Sequence, residues 1–187
     1  METREELLDV AQELAQKLGY NAFSFHDLAK RVGIRTASVH YYFPNKGDLG
    51  REMMTRYRLA FLRRLHEIER REKTARRRLK RFVALFQETL LSDRLCLCGT
   101  LATEYATLPA AVQREVRRFF GDSESWLARV LEEGRRAREL AFDGPPAGTA
   151  RTLFSAFEGA MIAARTFGDP RRLGEAGRWM VAAVSAH

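Results

Sequence analysis

The chain has 187 residues, of which 45% are hydrophobic and 30% charged, a composition typical of folded proteins and not of disordered ones. No stretch approaches the roughly 18–20 uninterrupted apolar residues that a membrane span requires, and two cysteines are too few for a disulfide scaffold. We therefore expect a cytoplasmic protein without a membrane-spanning segment. The net charge of +8 is concentrated between Arg51 and Arg81, where 13 basic residues accompany four acidic ones. Such a cluster indicates either a polyanionic partner, such as nucleic acid, or the solvated face of a long helix.

Apolar residues recur at helical spacing from the beginning of the chain. A first apolar stripe ends at Leu18, and Gly19 is placed to stop that helix. Ser24 predicts the N-cap of a short second helix, which Gly33 ends. A third helix is predicted over approximately residues 36–43.

Longer helices are predicted beyond Pro44. A helix of about 25 residues follows Asn45, and another is centred on Phe82. A short apolar helix is predicted over residues 96–107, Pro109 begins the next, and two last helices flank the turn at residues 168–170. No segment shows the alternation of a strand. The prediction is an all-α protein of about nine helices.

Residues 25–42 have the spacing of two helices that meet at a sharp angle. Leu28, Val32, Ile34 and Val39 supply a small shared core, and Gly33 relieves the backbone in the turn. This pattern predicts a helix-turn-helix, whose second helix enters the major groove of DNA. The alternative is a plain helical hairpin within an α-bundle.

The exposed side of the predicted second helix carries groups that can contact DNA. Hydroxyl, guanidinium and imidazole groups can donate to phosphates or base edges, and methyl groups can contact thymine. A lysine at the start of the next helix adds charge where a helix N-terminus already favours phosphate. The candidate residues are Arg35, Thr36, Ala37, Ser38, His40, Tyr41, Tyr42 and Lys46.

Residues 5–50 resemble the DNA-binding domain of the TetR family of bacterial repressors. The family pattern usually has a leucine–tyrosine pair before the final aromatics, where this chain has Val39-His40. His40 is therefore a departure that can alter base or phosphate contacts. The motifs that carry the resemblance are Leu18-Gly19-Tyr20, Ser24-Phe25, Leu28-Ala29-Lys30-Arg31-Val32-Gly33-Ile34, Val39-His40-Tyr41-Tyr42-Phe43 and Asn45-Lys46-Gly47-Asp48-Leu49.

The resemblance implies a ligand-responsive transcriptional regulator, most simply a repressor. It implies a homodimer on an inverted-repeat operator and release from DNA when a small-molecule effector binds. An N-terminal helix-turn-helix domain over residues 1–47 would then precede a C-terminal ligand-binding and dimerisation domain over residues 48–187. By matching positions, Ser24 and Lys46 would hold phosphates, and the other candidates on the second helix would face the groove. No cofactor and no catalytic activity are expected.

The last two predicted helices are the candidates for the dimer interface. Symmetric two-fold pairing is the commonest oligomeric arrangement, and small residues on these helices permit close approach. The alternative is that these apolar stripes form the core of the single chain. The predicted interface residues are Leu153, Phe157, Met161, Leu173, Ala176, Met180 and Val184.

A ligand pocket between helices would be mostly apolar, with a few polar groups. Aromatic residues at helical spacing belong to a core first, so we expect a minority of them to line the cavity. A buried Glu158 would need a partner, either a cationic ligand or Arg165, but an exposed carboxylate is the expectation. The candidate pocket residues are Phe61, Phe82, Phe86, Glu104, Tyr105, Phe119, Trp126, Phe154 and Glu158.

Two further alternatives remain open. Cys96 and Cys98 stand near a predicted helix start, which stabilises thiolates, so the protein could be a repressor that senses oxidants or electrophiles. A buried cysteine is more often a small hydrophobic residue. The other alternative is a helical small-molecule-binding protein or enzyme without DNA binding. The four histidines show no metal-binding spacing, and no catalytic motif stands out, so neither a metal nor catalysis is expected.

Overall fold

A computed structural model describes residues 2–186, which form nine α-helices and one short 3₁₀ helix, Tyr105–Thr107. Among these residues, extended pairing is confined to one isolated bridge between Leu140 and Ser185. The all-α prediction is confirmed. No helix in the described part of the chain is long and apolar enough to span a bilayer. The helices are α1 Glu2–Leu18, α2 Phe25–Val32, α3 Thr36–Tyr42, α4 Lys46–Arg71, α5 Ala75–Leu91, α6 Leu97–Thr103, α7 Ala110–Arg136, α8 Pro146–Thr166 and α9 Arg171–Ala183.

Local signals set the ends of the first helices as predicted. Gly19 follows α1 with a φ of +109°, and Gly33 ends α2 in the left-handed region with a φ of +78°. Ser24 caps α2: its hydroxyl accepts from the backbone N–H of Asp27, whose carboxylate accepts from the backbone N–H of Ser24. This reciprocal capping box fixes the direction in which α2 begins.

Two local predictions differ from the structure. Residues 96–107 form no single helix, because the N–H of Glu104 bonds to Leu101 and that of Thr107 to Glu104, each three residues back. Such bonds tighten the chain into the 3₁₀ helix after α6. Leu18, predicted to lie in the buried stripe of α1, is 63% exposed at the helix end.

The helices divide between two compact units. The first comprises the residues up to Ala60 together with Leu97–Phe119, and the second comprises Phe61–Cys96 together with the residues from Phe120 onward. Both units therefore draw on α4 and α7. The functional boundary placed after residue 47 stays a prediction.

Each unit has its own apolar core. In the first unit, Leu7, Leu28, Val39, Leu49 and Met53 are fully buried. The core of the second unit is rich in aromatic rings, which are Phe82, Phe86, Trp126, Phe154 and Phe157. Removal of this apolar surface from water is the main stabilising contribution to both units.

Candidate DNA-binding helix and effector domain

The α2–α3 pair is held together by buried side chains from both helices. Leu28 and Ala29 of α2 and Val39 of α3 are buried, and Phe43 is buried at the end of α3. Of the four positions predicted for the shared core, Leu28 and Val39 are buried, and Val32 and Ile34 are half-buried. Because one side of α3 is fixed in this way, its other side is presented outward.

The outward side of α3 carries most of the predicted DNA-contacting residues. Tyr41 is 83% exposed, and its ring lies perpendicular to that of Tyr42 with 5.2 Å between the centroids. His40 packs edge-on against Phe25, with the ring centroids 4.8 Å apart. Of the seven candidates on and just before α3, Arg35, Ala37, His40 and Tyr41 are exposed, and Thr36, Ser38 and Tyr42 are half-buried.

Ser24 is exposed, but its hydroxyl is used locally. The hydroxyl donates to Oδ2 of Asp27 at 2.6 Å and accepts the N–H of the same residue. These bonds from Ser24 hold the pKa of Asp27 below its usual range. The carboxylate beside the hydroxyl repels phosphate, so the geometry favours a capping role for this side chain over the predicted phosphate contact.

Lys46 reaches inward in the structure. Its ammonium donates to the backbone carbonyl of Phe23 and lies over two rings, 4.2 Å from the centroid of Phe23 and 4.8 Å from that of Tyr20. Partial burial lowers the pKa of Lys46. The predicted phosphate contact must therefore use the remaining N–H groups of the ammonium or follow a change of rotamer.

Tyr20 has a structural role that the sequence does not reveal, since it appears there only as part of a family motif. Its hydroxyl donates to the backbone carbonyl of Lys46 at 2.6 Å, which ties the end of α1 to the start of α4. Burial, with a smaller contribution from Glu104, raises the pKa of Tyr20 to about 12. A Cβ at Gly50 would lie 2.8 Å from the tyrosine ring, so the ring needs glycine at that position.

Three predicted pocket residues lie in the first unit, where each has another partner. Glu104 accepts the backbone N–H of Asn21 at 2.8 Å, in the turn between α1 and α2. The ring of Tyr105 packs against the guanidinium of Arg117. Phe119 stacks on Tyr57 with 5.5 Å between the centroids. These contacts assign structural roles within the first unit to residues that were predicted to line a pocket.

The remaining aromatic pocket candidates do come together, in the second unit. Phe82 is the centre of the cluster: it stacks on Trp126 at 5.5 Å and contacts Phe86 at 5.1 Å. Phe61 lies 6.1 Å from Phe82, and Phe154 lies 6.4 Å from it. All but the half-buried Phe61 are core residues.

Glu158 is buried, contrary to the expectation of an exposed carboxylate. The residue is 8% exposed, and its Oε1 atom has no hydrogen-bond partner. Burial raises the pKa of Glu158 to about 7, and a hydrogen bond with the Cys96 side chain opposes that shift. Arg165, the predicted protein partner, instead pairs with Asp93 at 2.8 Å.

Both cysteines are free and fully buried. The backbone N–H of Cys96 donates to the sulfur of Met161, and the thiol of Cys98 donates to the carbonyl of Val116 at 3.5 Å. Burial in apolar surroundings raises the pKa of a thiol and lowers its reactivity. Over residues 2–186, no group of three or more His, Cys, Asp or Glu side chains is arranged to hold a metal ion.

Five of the seven predicted dimer residues are buried within the single chain. Leu153, Phe157, Met161, Leu173 and Val184 are each at most 7% exposed. They pack the interior because the broad apolar stripes of α8 and α9 also form the core. The large apolar side chains that are exposed in this region are Ile162, Phe167 and Trp179.

The basic cluster between Arg51 and Arg81 is extensively ion-paired. Acidic side chains, most of them from other helices, pair with it, so much of its charge is compensated within the protein. The exposed pairs among them contribute little stability each, whereas Arg58–Glu115 is largely buried. The pairs include Arg56–Asp9, Arg58–Glu115, Arg64–Glu88, Arg78–Glu133 and Arg81–Glu72.

Two family models match the chain. Residues 7–53 match the model described as bacterial regulatory proteins of the tetR family, and residues 75–180 match a tetracyclin repressor-like C-terminal domain. The chain belongs to the TetR family. It is a DNA-binding transcriptional regulator that dimerises and responds to a small-molecule effector. This membership confirms the resemblance in residues 5–50 and extends it across the C-terminal helices.

Individual TetR-family proteins are similar along nearly the whole chain. A regulator of the family from Agrobacterium tumefaciens is 31% identical, with 99% of this chain and 98% of that chain covered and a TM-score of 0.96. The repressor NemR of Escherichia coli K12 is 27% identical over 172 residues, which are 88% of this chain and 84% of NemR. The regulator AcuR of Cereibacter sphaeroides is 27% identical over 161 residues, or 82% and 72% of the two chains.

Proposed function

We propose that this TetR-family protein is a repressor that places the α3 helices of two copies in successive major-groove segments of an inverted-repeat operator. The observation that carries this proposal is the two-sided character of α3. Val39 is fully buried, whereas Arg35, Ala37, His40 and Tyr41 are exposed on the other side. A helix anchored in this way can present its exposed side chains to a groove while its buried side stays packed against the protein. Repression of this kind takes place in the cytoplasm and involves no catalytic step.

The exposed groups divide into two kinds of contact. Arg35 and the tyrosine hydroxyls supply donors to phosphates and base edges, and Ala37 supplies a methyl group for thymine. His40 adds an imidazole where the family usually has tyrosine, so its contacts are the ones expected to differ from those of relatives. Phosphate contacts fix the register, and base contacts select the sequence.

The dimer needs a surface that the single chain leaves open. On α8, Ser155, Gly159 and Ile162 follow one another at helical spacing and are exposed; on α9, Trp179 is 78% exposed. Small residues allow helices to approach closely, and an exposed tryptophan is a typical interface anchor. We assign the two-fold contact to these outward faces of α8 and α9.

The thiol-sensing alternative receives less support from the structure. Cys96 and Cys98 are buried, and the carboxyl group of Glu158 beside Cys96 disfavours a thiolate there. The effector is therefore proposed to act by reversible binding within the second unit. If Cys96→Ser and Cys98→Ser variants lost the effector response but kept operator affinity, the thiol mechanism would replace this one.

DNA from the intergenic region upstream of the protein's own gene tests the proposal directly. We expect salt-dependent binding in a gel-shift titration, and a protected site with two half-sites centred about 34 Å apart. Sedimentation should give two chains per site. Tyr41→Ala should weaken binding, and Leu91→Ala, at an exposed position on α5, serves as the matched control. Absence of sequence-preferring binding to this DNA, or equal affinity of both variants, contradicts the proposal.

A further inference from the structure

Glu158 is a carboxyl group that the fold buries without giving one of its oxygens a partner. It lies on α8 between Phe157, which is 1% exposed, and Gly159, and Oε1 makes no hydrogen bond. A buried carboxylate of this kind is costly unless it is paired. Gln would keep the shape of the side chain and remove its charge, so packing alone does not require a glutamate here.

The protein cation best placed by sequence to neutralise Glu158 is committed elsewhere. Arg165, two turns further along α8, pairs with Asp93 at 2.8 Å. The Cys96 thiol contacts the carboxyl group, but it supplies a hydrogen bond and no positive charge. Burial outweighs this contact and raises the pKa of Glu158 to about 7. The carboxyl group is therefore poised between its neutral and charged forms at neutral pH.

The surroundings of Glu158 suit an organic ligand. Phe154, one turn earlier on α8, contacts Phe120 at 5.1 Å and Phe86 at 6.3 Å. Phe157 contacts Phe82 at 5.5 Å. Aromatic rings bind apolar ligand surface and attract cations through their faces. An apolar cluster with one unpaired polar atom has the composition of a small-molecule site.

We propose that Glu158 anchors the effector, and that the effector is a small organic cation whose ammonium N–H donates to Oε1. The inference rests on the proposed function only in naming this ligand the effector. The ammonium group supplies both the missing donor and the missing charge, while its hydrocarbon part packs against the rings of α8. A neutral ligand that accepts a hydrogen bond from protonated Glu158 is the competing chemistry.

Calorimetric titration of the full-length protein at pH 7 tests this chemistry. The probes are butyl-, benzyl- and phenethylammonium chloride, each compared with the alcohol of the same skeleton. We expect at least one ammonium to bind about tenfold or more tightly than its alcohol, and Glu158→Gln to remove that preference. Asp143→Asn, at an exposed carboxylate in the loop before α8, should leave it unchanged. Equal binding of ammonium and alcohol in all three pairs overturns the proposal, as does an unaltered preference in Glu158→Gln.

The protons exchanged on binding separate the two chemistries. A cation favours the charged carboxylate, so its binding should release protons to the buffer. Because phosphate and Tris take up a proton with different heats, the measured heat of binding should differ between the two buffers with the sign that proton release requires. A ligand that accepts from protonated Glu158 takes protons up, and uptake overturns the proposal. Thermal melting establishes that Glu158→Gln is folded.

Operator binding in the absence of probe keeps this inference separate from the proposed function. Wild-type protein that binds its operator but shows no preference for ammonium probes contradicts the effector chemistry alone. Protein that binds ammonium through Glu158 but does not bind operator contradicts the proposed function alone.

Discussion

Glu104 accepts a hydrogen bond from the backbone N–H of Asn21, with 2.8 Å between Oε2 and the nitrogen. The side-chain amide of Asn21 also donates to the hydroxyl of Thr107 at 2.8 Å. Two bonds therefore connect the segment after α6 with the turn that leads into α2. Because α2 packs directly against α3, we expect a displacement of residues 104–107 to reach the helix that we assign to DNA.

Replacement of Glu104 should weaken this connection. Glu104→Ala removes the acceptor for Asn21 and is expected to lower the free energy of unfolding by about 1 kcal/mol, since the bond is exposed. Operator affinity should fall, because the turn before α2 is less firmly held, and the effector should change that affinity by a smaller factor. Urea denaturation and fluorescence polarisation with labelled operator measure the two effects. Asp143→Ala, at an exposed carboxylate in the loop before α8, is the control. Equal operator affinities and unfolding free energies for the two variants would show that the connection affects neither DNA binding nor stability.

The helix-turn-helix could be predicted from sequence because its determinants are local. Leu28 and Val39 are eleven residues apart, and the cap at Ser24 and the turn at Gly33 lie within the same segment. Burying Val39 leaves little choice about which side of a seven-residue helix faces outward. The fold class follows similarly from the helical period of the apolar residues.

The roles of Glu104 and Glu158 could not be predicted in this way. The partner of Glu104 is 83 residues away in the sequence, and nothing near either residue signals the contact. Glu158 was expected to be exposed because carboxylates are rarely buried. The dimer prediction followed the apolar stripes of α8 and α9, but such stripes mark the core of the single chain before they mark an interface. The small and polar residues Ser155 and Gly159 on the open side give no comparable signal.

Substitutions on the two sides of α3 should separate DNA binding from stability. Tyr41→Ala is expected to leave the unfolding free energy unchanged, because the ring is 83% exposed, and to weaken operator binding about tenfold. Val39→Ala should instead destabilise the protein by roughly 2 kcal/mol, since it opens a cavity in the shared core. Chemical denaturation and operator titration of both variants test this separation. A stability loss in Tyr41→Ala comparable to that of Val39→Ala would refute the assignment of α3.

The salt dependence of operator binding should report the contact made by Arg35. Each phosphate that a basic side chain neutralises releases counterions, so the logarithm of the affinity falls with the logarithm of salt concentration. Arg35→Ala should reduce the magnitude of that slope by about one per operator half-site if the guanidinium meets a phosphate. An unchanged slope with weaker binding would assign Arg35 to a base edge. An unchanged slope and unchanged affinity would remove it from the interface.

Charge on the outward face of α8 should separate the dimer. Ile162→Asp places a carboxylate at a 45% exposed apolar position, where the single chain tolerates it but an apolar contact between copies does not. Sedimentation should show monomers at concentrations where the wild-type chain is dimeric, and operator affinity should fall because two half-sites no longer bind one assembly. Leu91→Asp, at a 73% exposed position on α5, is the matched control. A dimeric Ile162→Asp variant would move the interface to another surface.

The stability of the protein should depend on pH through Glu158. The pKa of this carboxyl group is about 7 in the folded protein and near 4.5 in the unfolded chain. The native state therefore holds a proton that the unfolded state has already released, so stability is lost as the pH rises from about 4.5 through 7. The full loss amounts to about 3 kcal/mol. Glu158→Gln has no such group, so the difference in unfolding free energy between it and the wild type should shift in favour of the variant between pH 5 and pH 8. Urea denaturation across that range, with Asp143→Asn as the exposed control, measures the shift. Parallel profiles for the wild type and Glu158→Gln would show that the buried carboxyl group does not titrate as described.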